Sequence, residues 1–283
     1  IVFCGPRRRI AAPMLKSAWR SGVRKIVYAT PRGPKAEPVA AMLARRGLEA
    51  ALYRVARLSR RLEDREGRAL EAIVADLVAS QPPACRIEPV PGRILLANHS
   101  LSMGGAERQI VNTLVGLKRR GVADVALACE RRHDYGSDDS FGATLQRHGI
   151  AVSELGGLPL DDVSLPSGEG LPHSLGDDVL FWAGLLRRHR PQVLHAWQDA
   201  TSVKAGLAAA LVGVPRIVLA ARNRSPLHFG YWLPWMRPVY RALARLPAVV
   251  LSNNSRAGAK DYAAWLDLPE PRFQVIYNAL APA

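Results

Sequence analysis

The amino-acid sequence predicts an α/β fold in which helices flank a parallel, Rossmann-like sheet, preceded by a smaller α/β segment. Short strands rich in Val, Ile and Leu alternate with helical stretches along the chain of 283 residues. This alternation is typical of parallel sheets. One helix, residues 201–212, is almost entirely apolar, as expected of a buried helix that connects two strands and covers a face of such a sheet.

Residues 1–90 are predicted to form the smaller segment. Its predicted strands are 1–5, 25–30 and 48–55, and its predicted helices are 10–21, 36–46 and 60–80. Residues 81–92 then contain four prolines and one glycine, and proline fixes φ and removes a backbone donor. We therefore place a domain boundary here, between an accessory segment of residues 1–90 and a domain of residues 91–283.

The second domain repeats the alternation. Its predicted strands are 94–97, 124–130, 151–155, 192–197, 216–222, 248–254 and 273–279, and its predicted helices are 106–120, 140–148, 175–188, 201–212 and 257–266. Residues 225–247 combine aromatic residues with arginines. A segment of this kind can lie at a membrane surface, but Pro234 and Pro238 interrupt a regular amphipathic face. We favour an irregular helix with its aromatic side chains in the core.

A loop with two adjacent glycines follows the first strand of this domain. Gly104 and Gly105 separate the strand 94–97 from an amphipathic helix that begins near Ala106. Glycine allows a tight turn and a close approach of a ligand to the backbone, and the free N–H groups of a helix N-terminus attract anions. The loop is therefore a candidate site for a diphosphate. The alternative is a turn that needs glycine only for its geometry.

Polar residues occur where the predicted strands end. In open parallel sheets, ligands bind outside the carboxyl ends of the strands, so residues from five strands are expected to meet at one edge. They are Asn98, His99, His195, Trp197, Arg222, Asn223, Asn253, Ser255 and Asn278. His195 is the candidate for chemistry, as a general base or as a donor to a sugar hydroxyl or a phosphate. The alternative is a histidine satisfied within the core.

Residue usage argues against several other functions. Cys4, Cys85 and Cys129 show neither a disulfide framework nor zinc-site spacing, and the histidines show no metal-ligand spacing. We therefore predict no metal site and no cofactor. A Gly-x-Ser-x-Gly elbow does not occur in the sequence, so hydrolase chemistry has little support. The scattered thiols fit a reducing, cytoplasmic setting.

The net charge of +15 is concentrated near the N-terminus, since residues 1–93 contain 19 Lys and Arg but 8 Asp and Glu. This charge favours an anionic partner, whether a phospholipid surface, a nucleic acid or a phosphorylated substrate; solvated arginine-rich helix faces are the alternative. Nucleic acid has the least support, because aromatic residues form only 6% of the chain and are not interleaved with the basic runs. We predict a cytoplasmic protein, with peripheral attachment to the inner membrane left open.

Over about residues 93–280, the second domain contains the blocks SMGGAERQ, RPQVLHAW, AGLAAALVGVPRIVLAARN, AVVLSNNS and FQVIYNAL. These blocks, in this order, resemble the N-terminal domain of family 4 glycosyltransferases, which are retaining enzymes with two Rossmann domains. The resemblance implies a nucleotide-sugar donor, a lipid-linked or polysaccharide acceptor, and transfer with retention. It also implies that a second, donor-binding domain with a Glu-x7-Glu element is missing, so we expect the chain to be inactive by itself.

The resemblance also implies roles for single residues. The Gly-Gly loop would approach the donor diphosphate, and His195 would face the reaction centre. Arg222 and Asn223 would line the acceptor side, and Ser255 matches the serine of the family's Asn-Ser block. The reaction would need no metal, because the helix dipole and backbone N–H groups stabilise the leaving diphosphate.

Two other functions remain open at this point. A nucleotide-sugar epimerase on the same fold would carry acidic residues in the cleft where this chain has His195 and Asn253. A non-catalytic module would instead use the basic residues 1–90 to bind an anionic membrane or polymer.

Overall fold

The structure is a computed structural model that describes residues 67–131, 141–155, 166, 168–229 and 232–279, together with the strands Val2–Phe3 and Val27–Tyr28. The chain forms two compact units, Ile1–Arg68 and Ala69–Ala283. In the first unit, β1 (Val2–Phe3) and β2 (Val27–Tyr28) pair in parallel. The other elements predicted within residues 1–66 lie outside the described residues.

The second unit is built on a seven-stranded sheet in which all neighbouring strands are parallel. Its strands are β3 (Val90–Asn98), β4 (Val125–Cys129), β5 (Ala151–Glu154), β6 (Pro191–Trp197), β7 (Arg216–Ala221), β8 (Val249–Asn253) and β9 (Phe273–Val275). Their order across the sheet is β5-β4-β3-β6-β7-β8-β9. The predicted α/β, Rossmann-like fold is confirmed.

Helices connect the strands and cover both faces of the sheet. They are α1 (67–80), α2 (Gly105–Arg119), α3 (Gly142–Arg147), α4 (His173–His189), α5 (Asp199–Val212), α6 (Met236–Ala244) and α7 (Arg256–Leu266). Helix α5 packs very close to the sheet, since a Cβ added to Gly206 would lie 2.7 Å from the side chain of Leu219. The small residues of this apolar helix allow that approach.

Successive strand residues point to opposite faces and build two cores. Leu95 and Leu194 belong to the larger core, which also contains side chains of α1, α4, α5, α6 and α7. Leu96 and Trp197 belong to the smaller core, formed with α2 and α3. Side chains alternate between the two faces along β3 and β6. This alternation places every second residue on the face that α2, the helix after the Gly-Gly loop, covers.

The compact unit begins before the segment 81–92, where the sequence placed the domain boundary. Leu70, Val74 and Leu77 of α1 are buried in the larger core. The proline-rich segment itself is hydrogen-bonded to this unit, because the backbone N–H of Ile87 donates to Val212 O at 2.8 Å. Proline removes donors, but the remaining donors of the segment still pair with neighbouring elements.

The aromatic side chains of residues 232–247 lie mainly in the core, as favoured from the sequence. Trp235, Met236 and Tyr240 are buried, and Tyr240 makes edge contacts with the rings of Tyr262 and Trp265 at 6.1 and 5.9 Å. Pro238 lies in the first turn of α6, where a helix tolerates a missing N–H. In the described part of the chain, no helix has the length and apolar character to cross a bilayer.

Candidate functional site

The strand order reverses between β3 and β6, which are hydrogen-bonded neighbours at the middle of the sheet. The helix after β3, α2, packs on the smaller core, whereas the helix after β6, α5, packs on the larger one. The connections therefore leave in opposite directions and open a crevice at the carboxyl ends of these two strands, the usual ligand site of doubly wound sheets. Asn98 and Trp197 are the last residues of the two strands.

The two glycines of the loop have different environments. Gly104 is the N-cap of α2, and a Cβ added there would lie 2.0 Å from Glu107 Oε2. Gly105 is exposed and has no atom within 4 Å of an added Cβ. The missing side chain of Gly104 therefore makes room for the Glu107 carboxylate. At Gly105, the missing side chain leaves space beside the first turn of α2.

Glu107 is buried beside this loop and is held by two side chains. Its Oε1 accepts hydrogen bonds from Asn98 Nδ2 at 3.3 Å and from Gln198 Nε2 at 2.7 Å. A carboxylate in the first turn is stabilised by the positive end of the helix dipole. Sequence reasoning identified Asn98 but missed Gln198, although a polar residue directly after an apolar strand was the signal used for the others.

His195, Trp197 and Arg222 meet on the face of the sheet that α2 covers in part. The rings of His195 and Trp197 are 5.3 Å apart, and the Arg222 guanidinium carbon lies 3.8 Å from the centroid of the Trp197 ring. A cation above an indole face is attracted by the ring quadrupole. The structure thus brings together three predicted residues from two neighbouring strands, since His195 and Trp197 lie on β6 and Arg222 directly follows β7.

The electrostatics of this group keep His195 neutral. Burial, with repulsion from Arg222, lowers the pKa of His195 to about 4, although the imidazole keeps partial contact with solvent. Burial lowers the pKa of Arg222 to about 10, so the guanidinium stays charged near neutral pH. The group offers one cation and one neutral imidazole to a ligand.

The chain after β9 borders the same group. Asn278 Oδ1 accepts a hydrogen bond from Arg222, and the side chain of Gln109 exchanges two hydrogen bonds with the backbone of Ala279, at 3.0 and 3.3 Å. Residues 276–279 therefore connect the far side of the sheet to α2. Ile276 and Tyr277 are 55% and 62% exposed in this segment, which leaves an apolar rim beside the candidate site.

Two predicted site residues have their side chains engaged within the fold, and the backbone carbonyl of a third, Asn223, takes part in these contacts. Asn253 is buried; its Nδ2 donates to Asn223 O at 3.1 Å and its Oδ1 accepts from Ser255 N at 3.0 Å. Ser255 is the N-cap of α7 and its Oγ accepts from Gly258 N at 3.0 Å. These contacts tie the turns after β7 and β8 together and cap a helix. A ligand-binding role for Asn223, Asn253 and Ser255 stays a prediction.

A second polar cluster lies at the carboxyl ends of β3 and β4. Glu130 Oε2 is 3.0 Å from His99 Nδ1 and 3.2 Å from Lys204 Nζ, while its Oε1 accepts from Thr201 Oγ1 at 2.9 Å. Burial raises the pKa of Glu130, but the hydrogen bond from His99 and the attraction of Lys204 outweigh it, so the pKa is lowered. The cluster borders a cavity of about 410 Å³ that Phe181 also lines. The prediction from sequence included His99 and missed Glu130.

No three or more His, Cys, Asp or Glu side chains of the described residues come together in a way that could hold a metal ion. The side chains of Cys85 and Cys129 are buried. The acidic side chains at the site, Glu107 and Glu130, are instead hydrogen-bonded to amide, imidazole, hydroxyl and ammonium groups.

The sequence profile of Glycosyltransferase Family 4 matches residues 103–283. The chain belongs to this family. The matched region begins in the Gly-Gly loop and includes the strands that carry His195 and Arg222, so the resemblance noted in the sequence is confirmed.

This chain matches only part of the length of its relatives and of similar solved structures. The Vi polysaccharide biosynthesis protein VipC/TviE of Salmonella typhi is 29% identical over 214 residues, which are 68% of this chain and 37% of that protein. The apo form of the lipopolysaccharide outer core galactosyltransferase WaaB shows 13% identity and a TM-score of 0.46, over 67% of this chain and 46% of that one. A glycosyltransferase from Rickettsia africae shows 12% identity and a TM-score of 0.43, over 66% and 43% of the two chains.

Proposed function

We propose that this chain is the acceptor-side half of a retaining glycosyltransferase that moves a sugar from a nucleotide-sugar donor to a lipid-linked or polysaccharide acceptor. The observation that carries the proposal is the crevice at the β3–β6 reversal, where an open helix N-terminus at Gly105 lies beside the His195, Trp197 and Arg222 group. Family membership supports the reaction class. The name of the Salmonella typhi relative supports polysaccharide biosynthesis as the setting.

The proposed chemistry uses electrostatics without a metal or a cofactor. As the sugar–phosphate bond breaks, negative charge develops on the leaving diphosphate. The backbone N–H groups in the first turn of α2, at Gly105, and the Arg222 guanidinium would stabilise this charge. His195 would act as a neutral hydrogen-bond partner of a sugar hydroxyl. Its lowered pKa makes it a weak base near pH 7, so hydrogen bonding explains its position better than proton abstraction does.

The chain spans 37% of the length of the curated relative it matches, and the donor domain expected in the family would follow it. We therefore propose that residues 1–283 alone transfer no sugar. The test is an assay of this chain with a panel of UDP-, GDP- and CMP-sugars and lipid-linked or polysaccharide acceptors. Detectable transfer from any donor would overturn the proposed division of labour between two domains.

The whole protein tests the proposed reaction. We expect transfer from one nucleotide sugar and expect the product to keep the anomeric configuration of the donor, measured by NMR of the released glycan. His195→Ala in the whole protein should reduce kcat by about a hundredfold, as the loss of a positioned hydrogen-bonding group does. Isomerisation of the nucleotide sugar without transfer would instead identify an epimerase.

The basic residues 1–90 are proposed to recruit the protein to an anionic membrane surface on the cytoplasmic side. Co-sedimentation with phosphatidylglycerol vesicles should fall when these residues are deleted from the whole protein, and should not occur with neutral phosphatidylcholine vesicles. Equal sedimentation of both proteins would remove this role from the segment.

A further inference from the structure

Gln198 combines an unusual backbone conformation with a contact to the Gly-Gly loop. It lies between β6 and α5 with φ 66° and ψ 162°, a combination that strongly favours glycine because a Cβ is disfavoured there. Such conformations persist only where the surroundings impose them, and they are concentrated at functional sites. This conformation directs the side chain of Gln198 toward a hydrogen-bond partner on α2.

That contact reaches the carboxylate that lies at the start of α2. Gln198 Nε2 donates to Glu107 Oε1 at 2.7 Å, across 91 residues of sequence. Asn98 Nδ2 donates to the same oxygen at the longer distance of 3.3 Å. Both donors are neutral amides that bind one charged acceptor, so the shorter bond is the stronger one. Gln198 is therefore the main side-chain restraint on the position of Glu107.

The position of Glu107 decides how much of the helix N-terminus is available. The carboxylate lies against Gly104, where its Oε2 is 2.0 Å from the place of an added Cβ, while nothing lies within 4 Å of the corresponding place at Gly105. A carboxylate released from this position could turn toward the first-turn amides. It would then compete with any anionic ligand for the same N–H groups and repel it.

We propose that Gln198 is a positioning residue that holds the Glu107 carboxylate against Gly104 and so keeps the α2 N-terminus free for the diphosphate of the donor. The inference rests on the proposed function, because the ligand is the diphosphate assigned there. Gln198 acts through Glu107 and touches no reacting atom. Its strained backbone follows from this role, since the turn after β6 must direct the side chain back across β3 to α2.

The test uses the variant Gln198→Gly, measured by calorimetric titration of the chain with inorganic pyrophosphate and by thermal unfolding. Glycine removes the side chain but relieves the backbone, so Tm should hold or rise while pyrophosphate affinity falls about tenfold, as the loss of one charge-assisted restraint allows. Unchanged pyrophosphate affinity, whatever the change in Tm, would mean a merely structural role and would overturn the inference. Arg190→Gly is the matched control, because Arg190 has φ 49° immediately before β6, at the opposite edge of the sheet. It should change Tm alone.

The double variant with Glu107→Gln completes the experiment. Glu107→Gln removes the charge that a released side chain would bring to the first-turn amides, so Gln198→Gly should have no effect on pyrophosphate affinity in this background. An equal affinity loss from Gln198→Gly with and without Glu107→Gln would overturn the inference while leaving the proposed function intact. If pyrophosphate fails to bind the wild-type chain, the diphosphate role of the Gly-Gly loop and this inference both fall.

Discussion

Arg222 stacks its guanidinium on the indole of Trp197, with Cζ 3.8 Å from the ring centroid. The stack joins the ends of β6 and β7 at the carboxyl edge of the sheet and places a cation beside His195, whose ring is 5.3 Å from that of Trp197. Asn278 holds the outer side of the guanidinium. Charge, aromatic surface and imidazole are therefore arranged as one unit, and removing the cation should alter its neighbours.

Replacing Arg222 by Met should raise the pKa of His195. Burial is the larger cause of the lowered pKa and the Arg222 charge the second, so the pKa should stay below its ordinary value of 6.5 while moving toward it. NMR titration of the His195 imidazole signals measures the change. Arg224→Met is the control, because Arg224 pairs with Asp261 instead. An unchanged pKa in Arg222→Met would remove Arg222 as a cause.

The lowered pKa of His195 should make the free energy of unfolding depend on pH. Because its folded pKa is about 4, the unfolded chain takes up a proton first as the pH falls below about 6.5. The stabilising contribution is complete above that pH and is lost on the way to pH 4. Between pH 7 and pH 5, wild type should lose about 1 kcal/mol more than His195→Gln, a value discounted because the ring keeps solvent contact. Urea unfolding at both pH values measures the difference, and equal losses would contradict the buried, neutral state.

Alanine substitutions at Gly104 and Gly105 should have different effects on stability, because the two glycines have different surroundings. Gly104→Ala places a Cβ against the held Glu107 carboxylate and should lower the free energy of unfolding by about 1 kcal/mol, the low end of the range for overpacking, because the clash is with the end of a flexible side chain. Gly104→Ala combined with Glu107→Ala should recover most of that loss relative to Glu107→Ala alone. Gly105→Ala should leave stability nearly unchanged, because the space is open, and should weaken pyrophosphate binding. Equal destabilisation by both alanines, measured by urea unfolding, would refute the difference in environment.

Removing the charge of Glu130 should destabilise the second polar cluster. Glu130→Gln leaves the mostly buried Lys204 with Asp178 as its remaining ion-pair partner and should cost about 2 kcal/mol, below the range for fully buried pairs. Since hydrogen bonding and charge lower the pKa of Glu130, the stabilisation is present at neutral pH and is lost as acid protonates the carboxyl. Glu88→Gln is the control, because its side chain is 92% exposed. Urea unfolding of the two variants at pH 7 gives the comparison, and similar stabilities would contradict the role of the cluster.

The position at one edge of the sheet was predictable for residues that one local signal identifies, while their role in binding stays a prediction. Asn98, His195, Trp197 and Arg222 all occur at the ends of apolar strands, and parallel pairing brings such ends to one edge. Gln198 has the same local signal, but its importance depends on a backbone angle and on a partner 91 residues away. Glu130 was missed because its partners on α5, Thr201 and Lys204, come from a helix more than 70 residues later in the chain.

The sequence by itself determined the alternation of strands and helices, the parallel sheet and the Gly-Gly loop, because hydrophobic period and glycine placement are local properties. Only the tertiary structure decided that α1 and the proline-rich segment belong to the second unit, since that depends on which core buries Leu70, Val74 and Leu77. It also distinguished the crowded Gly104 from the open Gly105, and it showed that the side chain of Asn253 ties two turns together. These distinctions depend on distances between atoms remote in sequence, which packing sets after the elements have formed.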